Sequence, residues 1–197
     1  MPRPPNTERR REQIVLGMLH VLAEHGYEGA STQRIAYAAK LTPGLIHYHF
    51  GSKQEILLAL LELLAAFARE RIEKHRAGAH DDRARLHAFL NAMLQVGDGA
   101  NPEAVAAWVA LTAEAVREPK VARAVRAVLA SWQDELQHLC EPLAPSRRAA
   151  AKTAAALVAF VQGCFVQAAV APDSIPSGSA APAARAMADA LLPGAGR

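Results

Sequence analysis

The chain has 197 residues, 51% of them apolar with alanine dominant and only 5% aromatic, a length that encloses a real core as one large domain or as a small and a larger one. That mixture favours helices throughout. Two isolated cysteines, Cys140 and Cys164, show no CxxC or Cys/His spacing, which excludes a disulfide framework and a zinc site and fits a reducing cytoplasm. The net charge is only +3, but residues 1–53 hold seven Lys/Arg (Arg3, Arg9, Arg10, Arg11, Arg34, Lys40, Lys53) against four Glu. The whole excess lies on that segment, as a phosphate-binding module requires.

Residues 1–13 are polar and arginine-rich, without the apolar run of a leader peptide. A first helix is expected over residues 7–25, with Ile14, Val15, Met18, Leu19 and Leu22 on one face and Gly26 ending it. Ser31 or Thr32 then caps a short second helix, on which Ile35, Ala36 and Ala39 share a face. Thr42 caps a third, with Pro43 in the first turn, where a missing N–H does no harm. Leu45, Ile46 and Phe50 supply its buried side, and Gly44, His47, Tyr48 and His49 its exposed one. Ser52 and Glu55 form a capping box that opens a fourth helix with Lys53 in its first turn. A cation there opposes the helix dipole, and a nearby DNA phosphate would resolve the conflict. Two short helices, a tight turn and a third helix at once make a helix-turn-helix.

The fourth helix is expected over residues 52–77, with Ile56, Leu57, Leu60, Leu61, Leu64 and Phe67 as its stripe and a charged second half. About 25 residues at 1.5 Å each reach close to ~40 Å, enough to link two bodies. Further helices are expected over 81–96, 102–117, 119–139, 146–170 and 182–192, with Pro102 and Pro119 near two starts and Gly97, Gly99 and Pro142 in breaks. Residues 172–182 read as a loop and the tail after Leu192 as frayed. The longest apolar stretch, 154–171, is interrupted by Gln162, Gly163 and Gln167 and reads as a buried or interface helix, not a membrane span. The class is all-α with about nine helices; no strand signal is visible.

The segment from Thr32 through HYHFGSK to Glu55, preceded by a single amphipathic helix, resembles the DNA-binding domain of the TetR family of transcriptional regulators. The likeness is detailed over residues 7–60 and is one of helical organisation beyond. One position departs: where the family usually carries Gly in the turn, this chain has Lys40, and a left-handed conformation there costs on the order of 1 kcal/mol. The resemblance implies a helix-turn-helix domain over residues 1–52 and a helical effector-binding and dimerisation domain over 53–197. It also implies that Gln33 and the exposed side of Gly44 to His47 face base edges, while Thr32, Tyr48, His49 and Lys53 bind phosphates, with Arg34 and Thr42 completing the set. A glutamine can pair with adenine, Leu45 can lie against a thymine methyl, and Gly44 lets the backbone come close. Arg9, Arg10 and Arg11 are either a solvated helix start or an arm on the DNA backbone or minor groove.

Residues 101–125 are similar to a pattern in the choline-responsive BetI-like branch, which implies a small-molecule effector. Expected pocket residues are Phe67, Met93, Trp108, Leu111, Thr112, Glu114, Trp132 and Gln167. Trp108 and Trp132 read first as core and second as ring faces for a cation, with Glu114 as the carboxylate. Glu114 reads first as an exposed helix position near Arg117 and second as that carboxylate. Gln162, Gly163 and Gln167 suit either a tight helix pair or a polar spot in a pocket. In the family the last two helices form the dimer, which here puts Leu157, Val161, Phe165 and Leu191 at the interface.

No nucleophile with a base, paired carboxylates or phosphate-cradling glycine loop is legible, so no enzyme and no cofactor are expected. His47 and His49, two apart on a helix, point about 200° from each other and cannot share a metal ion. The expected protein is a homodimeric, effector-controlled repressor in the cytoplasm, without a membrane partner, on a pseudo-palindromic operator. A DNA-binding regulator without a small effector is the alternative, and a protein too well packed to hold a cavity would favour it.

Overall fold

The computed structural model describes residues 6–94 and 101–192. Arg3, the end of the expected fifth helix, the expected break at Gly97 and Gly99, and the tail beyond Leu192 lie outside them. Nine α-helices and no strand occur among the described residues: α1 (Asn6–Gly29), α2 (Thr32–Ala38), α3 (Pro43–His49), α4 (Lys53–Arg76), α5 (Asp82–Leu94), α6 (Pro102–Glu114), α7 (Pro119–Cys140), α8 (Arg147–Val170) and α9 (Ala180–Leu191). Single 3-10 turns follow α7 at Glu141–Leu143 and sit in the expected loop at Pro172–Ser174. The helices fall into two compact units, one of Met1–Ala65 with Pro102–Val125, the other of Ala66–Asn101 with Arg126–Arg197.

In the first unit the expected stripe of α1 is buried throughout: Ile14, Val15, Met18, Leu19 and Leu22 are at most 6% exposed. Together with Ile35, Ile46, Phe50, Ile56, Leu57 and Leu60, all nearly inaccessible, they make a dry core whose large side chains each stabilise by about 1.5–3 kcal/mol. Gly17 lies on the same face of α1. A Cβ there would stand 2.8 Å from the Ile35 carbonyl oxygen, so the absence of a side chain lets α1 and α2 cross in near contact. The helical dihedrals of α1 break at Gly26 (φ 64°, ψ −179°), a region open essentially only to glycine. The helix therefore breaks where expected, and one more turn follows the kink. α6 packs along α1, and His20 Nδ1 meets Glu103 Oε2 at 2.7 Å. α6 stops at Glu114, three residues earlier than expected. The chain closes a turn there, with the N–H of Arg117 on the Glu114 carbonyl at 3.0 Å, before Pro119 opens α7.

In the second unit α5, α8 and α9 pack on one another. Leu86, Phe89, Leu90 and Met93 of α5 are buried, as are Ala184 and Ala188 of α9. Polar ties hold α9 to α5: Arg83 donates to Asp189 and, at 3.1 Å, to the Leu192 carbonyl; His87 Nε2 lies 3.0 Å from Asp189; Arg185 donates to Asn91. Burial pushes the Asp189 carboxyl up, but the hydrogen bonds and charges of His87 and Arg83 outweigh it and hold the group below its ordinary value. α9 starts at Ala180, with Pro182 inside its first turn. Cys140 and Cys164 are free and buried, and burial pushes the Cys140 thiol up to about 11.

α8 is long and apolar enough, by length and mean hydropathy (1.7), to cross a membrane, yet only 28% of that window is buried. Its inner stripe is Ala150, Thr153, Ala154, Leu157, Val161 and Cys164. Leu157 and Val161 are thus consumed by the protomer's own core (0% and 2% exposed), which corrects their expected place at an interface. The outward stripe is Ala155, Ala159, Gly163, Val166 and Val170, with Val166 46% and Val170 72% exposed. Phe165 is half-buried and Leu191 is 45% exposed.

Candidate DNA-binding surface

Ser31 opens α2, its hydroxyl accepting from the Arg34 N–H at 3.2 Å. The helix ends on a Schellman motif: the Lys40 N–H reaches the Tyr37 carbonyl (3.0 Å) and the Leu41 N–H the Ala36 carbonyl (2.9 Å). Lys40 at φ 55° is the one non-glycine residue with positive φ among those described, so the lysine does adopt the left-handed turn that glycine would take without strain. Thr42 occupies the N-cap of α3 with extended backbone, but its hydroxyl makes no capping bond. The residue caps through its backbone conformation, and its side chain stays exposed.

Ile46 (1%) and Phe50 (2%) anchor α3. Leu45, expected on the buried side, is only half-buried, while Gly44, His47 and Tyr48 are exposed and His49 is half-buried. A Cβ at Gly44 would meet nothing within 4 Å, so protein packing does not require glycine there. The rings of Tyr48 and His49 meet edge to face, centroids 5.0 Å apart. On α2, Thr32 is half-buried at the first turn, with Gln33 and Arg34 exposed beside it; the Arg34 guanidinium is steadied by the Gly29 carbonyl at 2.8 Å.

The capping box of α4 forms with a shift. The Glu55 N–H donates to the Ser52 hydroxyl at 3.2 Å, but the Glu55 carboxylate accepts from the N–H of Gly51, at 2.9 Å, one residue before the expected partner. Lys53 does not stand unopposed at its helix start. Its ammonium donates to the Tyr27 carbonyl at 2.8 Å and lies 4.0 Å over the Tyr27 ring, so it complements the C-terminal end of α1. Around it, burial first and then the carboxylates of Glu114 and Glu118 push the Tyr27 phenol up, and Gln54 bonds Glu118 at 3.0 Å. Arg11 ties α1 to α3, donating to the His49 carbonyl with its guanidinium 4.0 Å over the Phe50 ring. That tie was not legible: nothing in the spacing of an arginine triplet says which member turns inward.

The expected effector residues divide between the units. On α6 in the first, Trp108 (4%) and Leu111 (0%) are buried. Thr112 is half-buried, with its hydroxyl on the Val109 carbonyl at 2.9 Å, and Glu114 is half-buried near Tyr27. In the second, Met93 (5%) and Trp132 (6%) are buried, Phe67 is 37% exposed, and Gln167 is exposed on α8 beside Val166.

A tightly turned helix pair on a buried core, with a donor-rich second helix facing outward, defines a helix-turn-helix regulator. Comparison with known proteins gives the family. Residues 17–60 match the family of bacterial regulatory proteins named for tetR, and residues 82–193 match the C-terminal domain of the BetI-type transcriptional repressor. The chain belongs to the TetR family of transcriptional regulators, with a BetI-type C-terminal domain. It is 32% identical to the transcriptional regulator BetI of Rhizobium meliloti (strain 1021) over 62% of this chain and 60% of that one. To the BetI of Paraburkholderia phymatum it is 28% identical over 98% and 97%. The same fold occurs in a transcriptional regulator from Rhodococcus sp. (TM-score 0.83, 24% identity, 93% of this chain and 96% of that one). It occurs also in a regulator from Saccharomonospora viridis solved in complex with choline (TM-score 0.77, 20% identity, 94% and 96%). The matching families and curated relatives are transcriptional regulators, and so is this chain; it is not an enzyme.

Proposed function

We propose that the chain is a homodimeric repressor that holds a pseudo-palindromic operator and is released by a small-molecule effector. The observation that carries this is the α3 surface: Gly44, His47 and Tyr48 stand exposed on a helix whose other side is locked into the core. Gln33, Gly44, Leu45 and His47 meet base edges; Thr32, Arg34, Thr42, Tyr48, His49 and Lys53 hold phosphates and set the register. Functionally, residues 1–52 read DNA and residues 53–197 sense the effector and dimerise. The outward apolar stripe of α8 supports dimerisation, because so much exposed small and branched apolar surface is costly in a lone protomer. With α9 it forms the interface, and two recognition helices then meet major grooves about 34–36 Å apart or a multiple of that.

The effector is choline or a related quaternary ammonium. The BetI-type match and the fold shared with a choline-bound regulator support this, and a tryptophan ring face and a carboxylate, as Trp108 and Glu114 offer in the first unit and Trp132 in the second, have the chemistry for a cation. The effector acts by binding the released conformation better than the DNA-bound one, and the protein works in the cytoplasm, where its operator is.

The test is a gel shift on DNA from upstream of the protein's own gene, at two salt concentrations, with and without choline. A salt-sensitive shift to a palindrome is expected, lost in His47→Ala, weakened on all sequences in Lys53→Ala, and reversed by choline. A wild type that shifts neither this DNA nor any member of a random-sequence pool sinks the regulator reading. A shift that choline leaves untouched sinks the effector class alone.

A further inference from the structure

Tyr37 has no assigned role, and it is the most exposed aromatic side chain among the described residues, at 88%; Tyr48 follows at 79%. Both stand on the helix-turn-helix. Tyr37 lies one helical turn after Gln33, so the two share a face of α2. Beside them runs a concavity of about 620 Å³ between α1 and α2, bounded by Gln33, Arg34 and Tyr37 on one side and His20, Glu24 and His25 on the other.

On the α1 side Glu24 lines this concavity and lies 3.5 Å from His25, and His20, which also lines it, lies 2.7 Å from Glu103. Arg34 makes no ion pair with a carboxylate among the described residues; its guanidinium donates to the Gly29 carbonyl. The α2 side carries the donors: the Tyr37 hydroxyl, the Gln33 amide and the Arg34 guanidinium. Tyr37 forms a rim and not a wall, which suits a long strand laid across the opening better than an enclosed small ligand. The surface is continuous, through Gln33, with the proposed base-reading face. A DNA duplex carries one charge per about 1.7 Å of axis, so a cleft with three donors along such a face meets phosphates when the duplex is docked.

We propose that the α1–α2 concavity seats the sugar-phosphate backbone beside the major groove entered by α3, with Tyr37 donating its hydroxyl to a phosphate and Arg34 balancing the charge. This rests on the DNA-binding reading above and adds to it a contact residue on the first helix of the pair. The contact sets register and affinity and carries no base preference.

The test couples protein and phosphate. Operator duplexes are made with a neutral methylphosphonate at each backbone position in turn, and binding of wild type, Tyr37→Phe and Tyr37→Ala is measured on each. Because Tyr37 is exposed, both variants should keep the wild-type thermal unfolding curve. The expected result is that each variant binds the intact operator about three- to tenfold more weakly, the size of one hydrogen bond. At one phosphate in each half-site, neutralisation should weaken the wild type more than it weakens the variants, which keep only the Arg34 part of the contact. Wild-type affinity in Tyr37→Ala, or a weakened variant that responds to every neutralisation as fully as the wild type does, overturns the proposal. So does a change confined to the number of dimers per duplex, which would give the concavity to a second copy of the chain. Wild type failing to bind the unmodified operator is a different outcome and strikes the regulator reading itself.

Discussion

At Lys53 the local electrostatics of a helix start and the tertiary environment pull in opposite directions, and the tertiary environment prevails. The ammonium is unfavourable at the first turn of α4 but sits on the last turn of α1, bonded to the Tyr27 carbonyl and stacked on its ring. Lys53→Met should therefore cost about 1–2 kcal/mol of folding stability, from a lost hydrogen bond and cation–π contact. Urea unfolding without DNA measures this separately from operator affinity. A variant as stable as wild type would mean that the contact contributes nothing in solution. Gly44 offers the opposite separation. Nothing in the protein fills the space of its missing Cβ, so Gly44→Ala should raise stability by up to about 1 kcal/mol through helix propensity. In a gel shift the same variant should weaken operator binding, because in the proposed complex the added methyl stands where DNA approaches. Lys40→Gly should relieve a left-handed lysine and stabilise by about 0.5–1 kcal/mol, offset in part by the freedom glycine gains when unfolded.

At the scale of elements, one carboxylate of α9 gathers two of its polar ties to α5. Asp189 receives Arg83 and His87, and its carboxyl is held below the ordinary 3.8 because those partners outweigh its burial. A carboxylate depressed in the folded state stabilises above its unfolded value and loses that contribution as pH falls through its folded one. Asp189→Asn should therefore be less stable than wild type at pH 6, with the gap closing as pH falls below 3.8. The site is partly exposed, so the gap should also shrink in high salt. Thermal unfolding across that range decides, and a gap independent of pH would mean the ion pair is not its source. Most element positions could be read in the sequence because caps and breakers are local: Ser31, Pro43, Ser52, Pro102, Pro119 and Ser146 stand at or just before helix starts. The differences arise where a cap forms without its side-chain bond or its partner shifts by one residue, as with the Thr42 hydroxyl and the Gly51 N–H.

At the scale of the whole molecule, the outward face of α8 is the surface that the proposed dimer covers. A single charge in the middle of that stripe should be tolerated by the protomer and not by a dimer. Val166→Glu is expected to keep its helical circular dichroism, run as a monomer in sedimentation, and bind the palindrome weakly because only one recognition helix engages at a time. If it stays dimeric, the interface lies elsewhere. α8 also shows the limit of reading periodicity alone. Its apolar residues surround much of the helix, so the pattern could not say which stripe the protomer would use. Leu157 and Val161 went inward, while Val166 and Val170 were left facing out.

The sequence by itself determined the all-helical class, the helix-turn-helix, the family, and the core face of α1. Each is written in local spacing: apolar residues three and four apart, caps at fixed offsets, and a short motif with a turn between two helices. Only the tertiary structure decided that Lys53 and Arg11 serve the ends of other helices, that Gly17 is a crossing point, that α6 lies on α1, and which side of α8 is inward. Those outcomes depend on which surfaces compete for the same buried space. Such competition is settled between segments far apart in the chain, where the spacing of neighbours carries no information.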